Sequence, residues 1–282
     1  MIEFDGVSKF YPGNALSKTF GNTPVGTTAV DNVSFTVTKG STTVLLGPSG
    51  SGKSTLLSMV NRMIDPTKGR VLVNGKDIAT INAVHLRRSI GYVMQSGGLL
   101  PHRTVVDNIA TVPRLKGQLK AQTHAHALEL LDLVGLDKSL AKRYPAQLSG
   151  GQQQRVGVAR ALATDAEILL MDEPFSAVDP IMRKELQQQV RGLQQDLGKT
   201  ILFVTHDIDE AFALADTIII LRPGGTIAQV GSATQILTHP ADNFIRNFIG
   251  VGSGERCLKI ISEADRTLVV DAYGKPLGIV EP

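Results

Sequence analysis

Residues 47–55, GPSGSGKST, put three glycines, a lysine and several hydroxyls on one short stretch that matches G-x-x-x-x-G-K-[ST] from Gly47 to Ser54. Each residue type has a use on such a loop. Gly50 and Gly52 let the backbone turn tightly and aim its N–H groups at phosphate oxygens. Lys53 brings a point charge to a β- or γ-phosphate, and Ser54 offers a hydroxyl to Mg²⁺. Pro48, Ser49, Ser51 and Thr55 complete the cradle. An ordinary Gly/Ser turn is the plain alternative. The apolar run before the loop and the helical STLLSMVNRM after it give the strand–loop–helix setting a phosphate site needs, and the helix adds its positive end. A second acidic group for the metal is expected at the end of a neighbouring strand, and ILLMDEP (168–174) supplies one. Asp172 is read as holding Mg²⁺ through water. Glu173 is read as the group that polarises an attacking water; alone it would pass for a surface carboxylate.

One cradle is enough for one nucleotide, yet QLSGGQQQR (147–155) sets Ser149, Gly150, Gly151 and Gln152 in a second glycine-rich turn. Locally it reads as a helix start capped by Ser149.

The elements that must carry these residues alternate along the chain, as in an α/β fold with a mostly parallel sheet. Strands are expected at 32–38, 42–47, 91–95, 167–172, 200–206 and 217–222. VLLG, ILLMD and ILFVT are continuous apolar runs, which suits strands buried on both faces. Residues 97–160 read as a helical insert, with 125–135 and 152–163 its clearest helices. A helix over 181–197 is expected to bury Leu186, Val190, Leu193 and Leu197. Residues 12–29, rich in Gly, Pro, Thr and Asn, read as a long loop or hairpin. After Gly250 the chain changes character, with a strand, a tight turn and a strand over 268–280. His124 and His126, two apart on a helix, are read as exposed and not as a metal site.

Taken together the motifs resemble those of the nucleotide-binding subunits of ABC (ATP-binding cassette) transporters. They are the loop 47–55, Gln95 ending a strand, LSGGQ (148–152), ILLMDE (168–173), SAVDP (176–180) and VTHD with His206, all in that family's order over residues 1–250. The resemblance implies a P-loop NTPase (RecA-like) core with a mostly parallel sheet, an antiparallel β subdomain and an α-helical signature subdomain at about 97–160. It implies ATP and Mg²⁺ as cofactors, with Ser54, Gln95 and Asp172 on the metal and Glu173, Gln95 and His206 in catalysis. It also answers the question of the second loop. Two cassettes would dimerise head to tail, and Ser149, Gly150, Gly151 and Gln152 of one would cap the γ-phosphate held by the other. Asp179 would act across that interface. Tyr11 matches the aromatic that stacks on adenine. About a dozen extra residues follow it, and Phe20 is a second candidate.

Stretches such as NRMIDPTKGRVLVNGKDI and DEPFSAVDPIMRKELQQQV look most like the osmoprotectant group, importers of glycine betaine, carnitine, choline or proline. The implied partners are integral-membrane permease subunits and an extracytoplasmic substrate-binding protein, with the cassette on the cytoplasmic face of the plasma (inner) membrane. Residues 251–282 resemble part of a CBS-like module; a small hairpin is the plainer reading. An importer for a polyamine, amino acid or oxyanion shares every catalytic motif, and an exporter-type cassette or a soluble non-transport ABC ATPase is the remaining alternative.

Composition bounds these readings. The 282 residues are 42% hydrophobic, enough for a sizeable core. Twenty-nine Lys and Arg against 26 Asp and Glu leave a net charge of +3, too weak a bias to point to nucleic acid. Cys257 is the single cysteine, so no intrachain disulfide is expected. No signal peptide and no apolar run of spanning length is read, so a membrane role is expected to come through a partner. With no Trp and 5% aromatics the chain offers little for an aromatic cage around a quaternary ammonium, and the solute is expected to bind elsewhere.

Overall fold

The computed structural model describes residues 1–12, 26–95, 97–252, 256, 258–263 and 266–280. Its centre is a six-stranded sheet. In chain order its strands are β3 (Thr42–Leu46), β6 (Ile90–Val93), β7 (Ile168–Asp172), β8 (Thr200–Thr205), β9 (Thr217–Leu221) and β10 (Ile227–Gly231). They lie in the order β10-β9-β3-β8-β7-β6, parallel except for the edge strand β10. A second sheet, antiparallel and ordered β2-β1-β4-β5, is built from β1 (Ile2–Tyr11), β2 (Thr27–Val37), β4 (Lys68–Val73) and β5 (Lys76–Asp77).

The apolar runs fill the space on both sides of the central sheet. Side chains alternate along a strand. Val44, Leu46, Leu169, Met171, Ile201, Phe203, Ile218 and Ile220 therefore enter one core, packed against helices. Leu45, Leu170, Leu202, Val204, Ile219 and Leu221 enter a second core. That second core is closed by α1 (Lys53–Val60) and by Ile2, Phe4, Val33 and Val71 of the antiparallel sheet. Burial of both faces is why these strands carry no polar residue between their apolar ones.

Helix α2 (Ala83–Ser89) precedes β6. Between β6 and β7 run α3 (Val105–Ile109), α4 (Thr111–Leu115), α5 (Lys120–Leu133) and α6 (Gly150–Leu162). Helix α6 opens on a capping box in which Gln152 N donates to Ser149 Oγ and Ser149 N donates to Gln152 Oε1. The helix thus starts two residues before the expected Gln152. Helix α7 (Pro180–Leu197) follows β7, α8 (Ile208–Leu214) follows β8, and α9 (Ala233–Thr238) and α10 (Asn243–Phe248) come after β10. Leu186 and Val190 of α7 are buried, but Leu197, expected in the core, is 58% exposed because the helix ends there on Gly198. Gly198 takes the left-handed conformation, with φ +58°.

Within 12–29, read as a long loop or hairpin, Thr27–Ala29 belong to β2, which pairs antiparallel with β1; residues 13–25, Phe20 among them, lie outside the described set. In the tail the expected strand, turn and strand of 268–280 are β12 (Arg266–Val270) and β13 (Pro276–Ile279), and a further strand, β11 (Lys259–Glu263), makes the sheet three-stranded and antiparallel. No helix among the described residues is long and apolar enough to cross a membrane.

Candidate functional site

The loop between β3 and α1 is shaped by glycine. Gly50 and Gly52 have φ of +78° and +87°, and a Cβ on Gly52 would lie 2.3 Å from the Ala29 carbonyl oxygen. Gly52 thereby caps α1 and passes close under β2. Lys53 is only 6% exposed; its Nζ folds back onto the loop, donating to Gly47 O at 2.7 Å and Pro48 O at 2.9 Å. Burial lowers its pKa. Among the described residues the buried Ser51 hydroxyl has no hydrogen-bond partner.

Parallel pairing of β3 with β8 and of β8 with β7 brings the ends of distant segments together beside this loop. Ser54 Oγ donates to Asp172 Oδ1 at 2.9 Å. Asp172 is 8% exposed. Burial pushes its carboxyl up, against the pull of the Ser54 hydrogen bond, and the neighbouring Glu173 charge adds to the push. At Glu173 the backbone leaves the strand with φ +45°, a strained value for a residue with a side chain, while its N–H donates to Val204 O at 2.9 Å. The carboxylate sits between two side chains. Gln95 Nε2 donates to Oε2 at 3.0 Å, and His206 Nδ1 lies 3.0 Å from Oε1. Residues 49–55, Gln95, Glu173 and His206, with Ala29, line a polar cleft of about 540 Å³.

These features fit a nucleoside triphosphate with a divalent cation. An unpartnered buried hydroxyl, a lysine spending its charge on its own loop and a desolvated carboxylate beside a hydroxyl are groups a phosphate chain and a cation would satisfy. Among the described residues no group of three or more His, Cys, Asp and Glu is placed to hold a metal by itself.

Other expected residues stand elsewhere. The turn Ser149–Gln152 is not among the residues lining this cleft, although its serine and first glycine are exposed. Asp179 caps α7, accepting from Met182 N at 3.1 Å. Tyr11 ends β1, half-exposed, with the Lys9 ammonium 5.3 Å from its ring centre, and is not among the cleft-lining residues. His124, expected to be exposed, is half-buried and pairs with Asp107 at 3.0 Å; His126 lies 3.2 Å from Glu129.

Sequence reasoning did not single out Gln154 and Arg160 of α6. Gln154 Nε2 donates to Met94 O at 3.3 Å, and Arg160 donates to Gly98 O at 2.7 Å and Gly97 O at 2.9 Å. They clamp α6 onto the segment that carries Gln95. A charged residue inside the apolar VGVARALA was the available signal. Gly157 permits the approach: a Cβ there would meet Gly97 O at 3.2 Å.

The family model for the ABC transporter matches residues 30–176. This chain belongs to the ABC transporter family. The ABC chain is 46% identical to the carnitine transport ATP-binding protein OpuCA of Listeria monocytogenes, over 89% of its own length and 60% of that protein's. It is 49% identical to the osmoprotectant import ATP-binding protein OsmV of Salmonella typhimurium, over 90% of its own length and 74% of OsmV's. It thus spans about three-fifths of the length of OpuCA. The dimeric, post-hydrolysis structure of the ATP-binding cassette MJ0796, bound to ADP and Pi, matches it with a TM-score of 0.75 at 32% identity, over 82% of this chain and 98% of that one. The ABC fold accounts for the core sheet, the antiparallel sheet and the helices of 105–162 as one cassette.

Proposed function

We propose that this chain is the ATP-hydrolysing subunit of a membrane importer for quaternary-amine osmoprotectants such as glycine betaine, carnitine or choline. The observation that carries the hydrolase reading is the position of Glu173, held by Gln95 and His206 at the mouth of the phosphate loop. In this reading the loop amides, the Ser51 hydroxyl and Lys53 bind the triphosphate. Lys53 leaves its two carbonyl partners to reach the β- and γ-phosphates. Glu173 accepts a proton from the water that attacks the γ-phosphorus; the bond to the bridging oxygen breaks, and ADP and phosphate leave. Gln95 and His206 fix the carboxylate for that task, and His206 reaches the γ-phosphate. Ser54 and Asp172, with Gln95, would hold Mg²⁺, which supplies charge neutralisation between the phosphates.

The second glycine-rich turn lies outside this chain's own cleft, which supports its use by a second copy: Ser149, Gly150, Gly151 and Gln152 close on the partner's nucleotide and Asp179 meets it at the interface. The Ser149 oxygen accepts from Gln152 N in the cap, and its O–H proton is left to donate to a phosphate. The MJ0796 cassette bound to ADP and Pi is dimeric. Tyr11 would stack on adenine. Residues 1–250 form the cassette and 251–282 a C-terminal tail; the cassette docks at the cytoplasmic face of the inner membrane on integral-membrane permease subunits, and an extracytoplasmic substrate-binding protein is the further partner. The solute class follows the names of OpuCA and OsmV.

The test is uptake. Cells lacking this chain are assayed at high osmolarity for labelled glycine betaine, carnitine and choline, then supplied with the wild-type chain or Glu173→Gln. Uptake restored by the wild type alone supports the reading. Intact uptake of all three with loss of polyamine, amino-acid or oxyanion uptake moves the assignment to another importer, and no uptake defect removes the transport role.

A further inference from the structure

We propose that Arg183 is a positioning residue for ATP hydrolysis, fixing the turn that carries His206 against the turn that follows Glu173; the inference rests on the hydrolase reading above. Arg183 lies in the first turn of α7, four residues after Asp179, to whose carbonyl its N–H donates at 2.8 Å. Its guanidinium faces two segments at once. One Nη donates to the Val178 carbonyl at 3.1 Å, in the connection from β7 to α7. The other lies 3.7 Å from Asp207 Oδ2, and the buried Nε lies 3.9 Å from Glu210 Oε1, with no hydrogen bond of its own among the described residues.

Glu210 carries the contact inward. Its side chain is 7% exposed, and its second oxygen accepts from the buried Thr205 hydroxyl at 2.7 Å. That hydroxyl oxygen accepts in turn from Asp207 N at 3.0 Å. The residues on both sides of His206 are thus tied into one network that Arg183 closes. Burial pushes the Glu210 carboxyl up, and the Thr205 hydrogen bond and the Arg183 charge draw it back toward the ionised form. On the far side, Ser176 N and Oγ both donate to Glu173 O, at 3.2 and 3.0 Å. Glu173, Ser176, Arg183, Thr205, His206 and Asp207 share the wall of a small cavity of about 80 Å³. Arg183 therefore braces, from behind, the two turns whose side chains meet in the 3.0 Å Glu173–His206 contact.

The residue type matters. A carbonyl and two carboxylates are faced by one planar fork, which a lysine cannot reproduce with a single ammonium. A displacement of about 1 Å between groups that must align is enough to cost on the order of a hundredfold in rate.

The experiment uses the full chain, measuring ATP turnover, ATP affinity and melting temperature for wild type, Arg183→Ala, Arg183→Lys, Glu210→Gln and the Arg183→Ala/Glu210→Gln double variant. The expected result is a fall in kcat of about tenfold or more for Arg183→Ala, with ATP affinity within about twofold of wild type. Arg183→Lys should recover part of the loss, and the double variant should be no slower than Arg183→Ala alone, since both changes break one network. A folded Arg183→Ala protein with unchanged kcat overturns the inference, as does a fall matched by equally weakened ATP binding. If Arg183→Ala does not fold, unchanged kcat in Arg183→Lys and Glu210→Gln overturns it. A wild-type chain that does not turn over ATP sinks the hydrolase reading and this inference together, whereas an active wild type with unaffected variants sinks the inference alone.

Discussion

Ser54 and Asp172, 118 residues apart in the chain, meet at 2.9 Å with the hydroxyl donating to the carboxylate. The pair is assembled by the parallel sheet, and it leaves a carboxylate desolvated. The carboxyl's pKa is raised by burial. A carboxyl raised in the folded state binds its proton more tightly there than in the unfolded chain, so ionising it costs stability above the raised value. That cost is relieved as pH falls through the raised value toward the ordinary one near 3.8. Asp172→Asn should therefore melt at a higher temperature than wild type at neutral pH in the presence of a chelator, with the difference shrinking on acidification. The same variant should lose Mg²⁺-dependent turnover. Melting curves against pH, paired with an ATPase assay, check both halves.

Removing the Glu173 charge separates chemistry from binding. Glu173→Gln keeps an amide between Gln95 and His206, so ATP binding should persist while kcat falls about 10²- to 10⁴-fold. With ATP the variant should run as a dimer in gel filtration. Adding Ser149→Arg at the exposed second turn should return it to a monomer that still binds ATP. A double variant that stays dimeric would remove the second turn from the interface.

Two glycines of the phosphate loop should respond differently to alanine. A Cβ on Gly50 meets nothing within 4 Å, so only the positive φ opposes it, at about 1 kcal/mol. At Gly52 the same change also drives a Cβ to 2.3 Å from Ala29 O, a backbone atom that cannot swing away. Gly52→Ala should cost roughly 2–3 kcal/mol or more in denaturant unfolding and abolish nucleotide binding, while Gly50→Ala stays folded.

The helices of 105–162 should carry an acid-sensitive contact. Asp107 is held below its ordinary pKa, chiefly by the Thr104 hydroxyl at 2.8 Å and then by His124 at 3.0 Å. A depressed carboxyl contributes stability above its unfolded value, lost as pH falls through the folded one. The stability gap between wild type and Asp107→Asn should be full above about pH 4 and close below it, as read by urea unfolding at a series of pH values.

Much of this cassette was legible in the sequence because its strands are buried on both faces. Runs such as ILLMD and ILFVT have no polar interruption to blur them, and the loop at 47–55 needs glycine at fixed places. Asp172 and Glu173 stood out as an acidic pair at the exit of a buried apolar run, whereas Gln95 and His206 were picked out only by the order of motifs that resembles the ABC family. The clamps of Arg160 and Gln154 and the brace of Arg183 escaped, since their acceptors are backbone carbonyls or carboxylates two elements away, and no side-chain pattern encodes where a carbonyl will lie. The left-handed turn at Glu173 is equally silent, because the strain is imposed by the pairing of Glu173 N with Val204 O. Helical periodicity placed Leu197 inside; the chain simply runs out of core before the helix runs out of turns.

The grip of Gln154 and Arg160 on the carbonyls of Met94, Gly97 and Gly98 has a kinematic consequence. One helix begins with the turn that would greet a second nucleotide and carries, one and three turns further on, the residues that hold the neighbourhood of Gln95. A linkage pinned at two points has little lost motion. If α6 tilts, the Gln95 end of the train is dragged with it, and the first distance to register the displacement is the 3.0 Å between Gln95 and Glu173. The throw of the helix would in this way be metered at the Glu173 carboxylate.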